Sequence, residues 1–284
     1  MAQTESATVP RTWFITGCSA GIGRALAQEV LARGQRAVIT ARKIESIASL
    51  GKEFADRALT LPLDVTAPAA VKEAVAQALA RMGRIDVLVN NAGYGVVGAV
   101  EEVSEAEVRA QFETNVIGLL SVTKAVLPHM RERRRGHILN VSSQTGLFAP
   151  AGFGLYSASK FAVEGLSEAM AAELAPLGIR VTLIEPGPFR TNFRGGIVFA
   201  KESLLDYAQS VGPARRAMSE PGGKQPGDPR LAAKVMADLV DSPHPPLRLP
   251  LGQIAIGNIR KHLAAVEQEI AQWEKIGAAT SFQE

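Results

Sequence analysis

Tyr156 and Lys160 stand four residues apart in Tyr156-Ser157-Ala158-Ser159-Lys160. A helix through them sets a phenol and an ammonium on one face, with Cβ atoms roughly 5–6 Å apart. A free phenol titrates near pH 10 and is a poor acid-base group at neutrality, and a neighbouring cation lowers that value. A phenol tuned in this way can pass its proton to a carbonyl oxygen. Tyr/Lys pairs are also common on solvated helix surfaces, so the pair gains meaning only from its surroundings.

The surroundings begin near the N-terminus, at Gly17-Cys18-Ser19-Ala20-Gly21-Ile22-Gly23. This stretch follows a predicted strand, residues 12–16, and opens a predicted helix, residues 24–33. Gly17, Gly21 and Gly23 keep Cβ atoms away, so the backbone around Ser19, Ala20 and Ile22 can approach a pyrophosphate at the helix N-terminus. The spacing is G-x-x-x-G-x-G, not the G-x-G-x-x-G of the general dinucleotide fingerprint. The second strand ends at Thr40-Ala41-Arg42. NAD sites usually carry an acid there for the ribose 2′-hydroxyl, whereas an arginine suits a 2′-phosphate. The acid is absent, so NADP(H) is the expected cofactor, with NAD(H) as the alternative. Asp64 and Val65, at the end of the third strand, are expected beside the adenine; a plain turn aspartate is the other reading.

These residues need a frame. Strands are expected at residues 12–16, 36–41, 58–65, 85–90, 137–142 and 179–185, alternating with helices. Ser104-Glu105-Ala106-Glu107 reads as a capping box opening a long helix toward Arg133. Continuously apolar strands separated by helices predict a doubly wound parallel sheet in three α/β/α layers. The chain has 284 residues, 46% of them hydrophobic and 21% charged, with 26 glycines. That composition suits one large α/β domain, residues 11–284, behind a disordered segment, residues 1–10. Residues 189–229 break the alternation and carry an interrupted apolar face, which reads as a substrate lid or as an extra packing element. A stretch at 243–250 leads into a final helical tail, residues 253–284, able to cover the sheet or another subunit.

The net charge of +3 is small, and Arg131-Glu132-Arg133-Arg134-Arg135 reads as a solvated helix end, not a nucleic-acid footprint. The single cysteine, Cys18, allows no internal disulfide and is expected as a packing residue. The start of the chain lacks a signal-peptide pattern and no apolar run reaches membrane-spanning length, so a cytoplasmic location is expected. His129, His137, His244 and His262 show no ligand spacing, so no metal site is expected.

Together these motifs resemble the short-chain dehydrogenase/reductase family, in its single-domain Rossmann-type form. The resemblance covers residues 11–191. It rests on the glycine stretch, Asn90-Asn91-Ala92-Gly93, Asn115, Asn140-Val141-Ser142-Ser143 with Gly146, Tyr156 to Lys160, and Pro186-Gly187 with Thr191. It implies that Tyr156 donates the proton in reduction and accepts it in oxidation. Lys160 would hold the nicotinamide ribose and lower the Tyr156 pKa. Ser143 would bond the substrate oxygen; Ser142 is the rival, but family serines precede the glycine by three residues, which favours Ser143. Asn115 would kink its helix and place a water beyond Lys160. Asn91, Ala92 and Gly93 would line the cofactor cleft, and Pro186, Gly187 and Thr191 would meet the nicotinamide end.

The resemblance thus implies hydride transfer between a ketone or aldehyde and an alcohol. A non-catalytic NADP(H) sensor on the same fold is the alternative, and an epimerase or dehydratase a more distant one. Tyr94, Phe148, Phe153, Phe189 and Phe193 border the expected pocket, so an apolar substrate is expected. The residues 246–250 and the long final helix resemble the hydroxysteroid- and retinol-dehydrogenase-like branch. Family members often pair through the helices that start near Ser104 and Tyr156, which implies a homo-dimer or homo-tetramer.

Overall fold

The computed structural model describes residues 10–282. The expected disordered segment, residues 1–10, lies outside them apart from Pro10. Seven parallel strands make the main sheet: β1 (Thr12–Ile15), β2 (Arg36–Ala41), β3 (Ala58–Pro62), β4 (Val87–Asn90), β6 (Gly136–Val141), β7 (Ile179–Pro186) and β9 (Arg248–Leu251). Their spatial order is β3-β2-β1-β4-β6-β7-β9. A short parallel pair, β5 (Val96–Val97) and β8 (Val198–Phe199), stands apart from it. The strand order reverses between β1 and β4, and open α/β sheets form their ligand crevice at the carboxyl ends beside such a switch.

The period of two along each strand divides the core. Trp13, Ile15, Ile39, Val89 and Leu139 join one cluster, covered by α1 (Gly21–Ala32) and α8 (Pro229–Asp241). Phe14, Val38, Leu88 and Ile138 join the other, covered by α3 (Pro68–Met82), α5 (Leu119–Arg133) and the C-terminal end of α6 (Gly154–Leu174). With both faces covered, every residue of β1 is buried, which is why three of its four residues, Trp13, Phe14 and Ile15, are apolar. The doubly wound three-layer fold is the one expected.

Two elements differ from expectation. The long helix after Ser104 does open on a capping box, with Ser104 N donating to Glu107 Oε2 at 2.9 Å and Glu107 N to Ser104 Oγ at 3.4 Å. It then divides into α4 (Glu105–Phe112) and α5, joined by a π-helical turn, Glu113–Gly118, that contains Asn115. Residues 243–250, expected as a connector, end in β9, which adds to β7 in the register Leu183↔Arg248 to Pro186↔Leu251. An outer strand tolerates Pro250 because it needs no amide hydrogen on its open side.

Residues 189–229 carry β8 and α7 (Gly212–Ser219). Glu102 ties this segment down: its buried carboxylate accepts from Ala99 N at 2.8 Å, Leu204 N at 2.8 Å and Arg215 Nη2 at 2.7 Å. The final helix α9 (Gln253–Ala278) buries Ala255 and Ile259, then runs exposed from Leu263 to its end, so that stretch does not cover the sheet. Among the described residues no helix is long and apolar enough to cross a membrane.

Candidate active site

A cavity of about 1110 Å³ opens at the carboxyl ends of the strands. Its cradle is the loop between β1 and α1. Gly17 has φ +72°, and a Cβ there would lie 2.9 Å from Ala92 Cα, so both backbone conformation and close approach demand glycine. Gly23 faces inward behind the cavity wall, where a Cβ would meet Asn91 Nδ2 at 2.4 Å. Asn91 fixes the loop by donating to Thr16 O at 2.9 Å and Gly17 O at 3.0 Å. Thr16 Oγ1 accepts from Asn91 N and Ala92 N, each at 3.0 Å. The first turn of α1 has no side-chain cap and no acid. Its free amides and positive dipole end therefore suit a pyrophosphate, and Ser19, Ala20, Gly21 and Ile22 line the cavity there.

Arg42, Asp64 and Val65 line the same cavity at the ends of β2 and β3. Asp64 also accepts from Thr66 N at 3.0 Å and Thr66 Oγ1 at 2.7 Å, and these bonds hold its carboxyl below the usual range. It is a turn residue as well as a wall residue. A glycine-rich turn, an uncapped helix start and a cation at the end of β2 together fit a dinucleotide.

The reacting end is built by α6 and the loop after β6. Tyr156 and Lys160 are buried on one face of α6, with Lys160 Nζ 5.8 Å from the Tyr156 ring centroid. Lys160 Nζ donates to Val141 O at 2.8 Å, and burial pushes its pKa down to about 8. The Tyr156 phenol is pushed up to about 12 by burial, with a hydrogen bond from Ser143 pulling the other way. Acidification by Lys160, expected from the sequence, is not what the geometry displays. Desolvation dominates, and the ammonium is turned to the Val141 carbonyl. Ser143 Oγ accepts from Thr145 N at 3.2 Å and Thr145 Oγ1 at 3.0 Å. With its lone pairs engaged, its proton is directed to the Tyr156 oxygen, at the reacting end of the cavity.

Asn115 does not line the cavity. Its Oδ1 accepts from Tyr94 N at 3.1 Å, and its Nδ2 donates to Tyr94 O at 2.9 Å and Ser159 Oγ at 3.0 Å. It braces the 91–94 loop from behind, one residue from Gly93, where a Cβ would sit 3.0 Å from Asn115 Oδ1 and 3.6 Å from Lys160 Nζ. Pro186, Gly187 and Thr191 border the cavity after β7. Thr191 crosses toward the glycine loop, its Cβ 3.3 Å from where a Gly21 Cβ would stand.

The expected aromatic pocket is only partly assembled. Phe153 and Phe193 line the cavity, and the Phe193 ring lies 5.7 Å from that of Tyr156. Phe189 borders it, but its ring packs on Gly227 and the core. Tyr94 lines it with its phenol in the field of Arg42, at the Arg42 end of the cleft. Phe148 is a correction: it is outside the cavity, 6.2 Å from the His262 ring of α9. Pro150, Val198, Met218 and Gln225 also line the wall, and the sequence carried no signal for them, because they come from distant short segments that only tertiary packing brings together. Cys18 is buried, its thiol pushed up to about 12 by desolvation, as suits a packing residue.

Comparison with known proteins agrees with this geometry. A family model described as short chain dehydrogenase matches residues 11–200. The chain is 39% identical to a 3-ketodihydrosphingosine reductase of Bacteroides thetaiotaomicron, over 86% of this chain and 89% of that one. It is 38% identical to retinol dehydrogenase 8 of Bos taurus, over 85% and 81%, in line with the expected branch. A crystal structure of a short-chain dehydrogenase from Streptomyces avermitilis superposes with a TM-score of 0.91 at 43% identity, covering 96% of this chain and all of that one. An alcohol dehydrogenase from Thermococcus sibiricus, complexed with 5-hydroxy-NADP, superposes with a TM-score of 0.71 at 25% identity, over 86% and 96%. A 3-ketoacyl-(acyl-carrier-protein) reductase from Brucella melitensis, complexed with NADH, gives 0.72 at 28% identity, over 85% and 96%.

Proposed function

The chain belongs to the short-chain dehydrogenase family and is an oxidoreductase that uses a nicotinamide cofactor, and on that premise we propose that it reduces an apolar ketone with NADPH, or oxidises the matching alcohol. The observation that carries this reading is the convergence of Tyr156, Ser143 and Lys160 on the cavity that also holds the glycine cradle and Arg42.

Bound between the cradle and Lys160, the cofactor would supply or accept the hydride and, when oxidised, a positive ring. The protein's own part is proton handling and charge placement. Ser143 and Tyr156 donate to the carbonyl oxygen as negative charge grows there. Tyr156 then yields its proton. Its elevated pKa keeps the phenol protonated at neutrality, the form that reduction requires. Lys160 keeps donors in reserve beyond Val141 O for a ribose hydroxyl, and its charge opposes the effect of burial on Tyr156 once both groups face a bound ligand.

Arg42, with no acid at the end of β2, supports NADP(H) over NAD(H). Phe153, Phe193, Pro150, Val198 and Met218 support an apolar substrate, as do relatives named for a ketosphingoid base and for retinol. The segment 189–229 would cover that substrate, since Phe193, Val198 and Met218 belong to it. Purified protein with NADPH and a panel of ketones, followed by loss of reduced-cofactor absorbance, tests the reading. Turnover of apolar ketones is expected. Tight NADPH binding without turnover of any carbonyl would instead favour a sensor.

A further inference from the structure

We propose that Glu164 is a positioning residue for this site, a buried carboxylate that acts through Lys160 and the 142–146 turn and is held in place by Arg248 of β9. The inference rests on the reductase reading above, which itself makes no use of Glu164.

Tyr156, Lys160, Glu164 and Glu168 recur at every fourth residue of α6, so they form one stripe along it. The first two face the cavity and the third lies behind it. Glu164 is 4% exposed. A Cβ at Gly146 would stand 2.6 Å from Ser142 Oγ and 3.0 Å from Glu164 Oε1, so glycine there lets the carboxylate press against the turn that carries Ser143. Arg248 closes the far side. Its Nη2 lies 3.1 Å from Glu164 Oε2, its Nη1 2.8 Å from Glu168 Oε1, and its Nε 3.3 Å from Glu185 Oε1.

The charges around Glu164 come from three elements: Lys160 and Glu168 on α6, Glu185 on β7 and Arg248 on β9. A buried carboxylate stays ionised only beside countercharge. Glu185 is wholly buried, and desolvation, then Glu164, pushes its pKa up to about 8, so it is neutral at pH 7. Burial pushes the Glu164 carboxyl up too, and the Ser142 hydrogen bond, Arg248 and Lys160 pull it back, so two cations, Lys160 and Arg248, face two carboxylates, Glu164 and Glu168. Burial drives Lys160 toward its neutral form, and Glu164 opposes that drift. Losing the ammonium would remove a donor from the ribose end and a charge from beside Tyr156.

The test follows Lys160 itself in the cofactor-free full chain, by the side-chain NMR signal that disappears in Lys160→Met, across pH 6 to 11. In Glu164→Gln the midpoint is expected to fall by about one pH unit, the scale of one nearby opposite charge. Arg248→Met should move it the opposite way, upward, because Lys160 is then left as the cation facing Glu164 and Glu168, although Arg248 does not border the cavity. The alkaline limb of NADPH-dependent reduction should follow the midpoint in each variant. An unmoved midpoint in Glu164→Gln overturns the proposal, as does a uniform loss of rate in Arg248→Met with no shift. Should Glu164→Gln fail to fold, Arg248→Met decides alone. Absence of turnover in every variant including the parent sinks the reductase reading instead, while the NMR midpoint still judges Glu164.

Discussion

Asn115 clamps both backbone groups of Tyr94 with one side-chain amide, at 3.1 Å to its N and 2.9 Å to its O. The clamp spans from the π-helical turn to the loop after β4. A helix interrupted at that point and a loop with no ladder partners therefore stabilise each other, and the loop carries the floor of the cofactor cleft.

Asn115→Leu keeps the volume and removes the clamp, leaving the part-buried Tyr94 N unpaired while Tyr94 O keeps Gln111 Nε2 at 3.0 Å. Stability should fall by roughly 1–3 kcal/mol, with weaker NADPH binding. Urea unfolding and nicotinamide fluorescence titration read the two effects. Unchanged values in both would show that the clamp is incidental.

Tyr156→Phe removes the hydroxyl and little else, because the ring stays packed near Phe193. Turnover should disappear while NADPH affinity holds. Retained reduction at more than a trace rate would place the proton donor elsewhere.

Arg42→Asp replaces a cation at the end of β2 with the acid that NAD sites carry. The NADPH/NADH ratio of kcat/KM should drop about 10- to 100-fold, the equivalent of one charge-assisted bond. A ratio that does not change would mean that the 2′-phosphate is held by other groups.

Glu185→Gln should stabilise the protein in a pH-dependent way. The folded pKa is raised from 4.5 to about 8 by burial, so the stability linked to its proton is fully present below about pH 4.5 and is lost as pH rises toward 8. Glutamine is neutral throughout. Parent and variant should match near pH 4.5 and diverge by roughly 3–5 kcal/mol at pH 8, the variant being more stable. Parallel urea curves at both pH values would show that Glu185 ionises in the fold without penalty.

Local pattern made most of the frame legible. Alternation and apolar runs marked six of the seven main strands, since strands covered on both faces are mostly apolar, and the Ser104–Glu107 cap was written in four residues. Gly17, Gly21, Tyr156 and Lys160 could be read because their chemistry depends on spacing within one turn or one helix. Tertiary structure decided what depends on distant segments meeting. Arg248 became a strand because β7 offered an open edge, and only that pairing brought it to Glu164 and Glu185. Phe148 left the pocket for His262, and Val198 of β8 and Met218 of α7 entered it, because where these side chains sit depends on how distant segments pack. The pKa values of Tyr156 and Lys160 were likewise set by burial, a property of the folded whole that four residues of sequence do not carry.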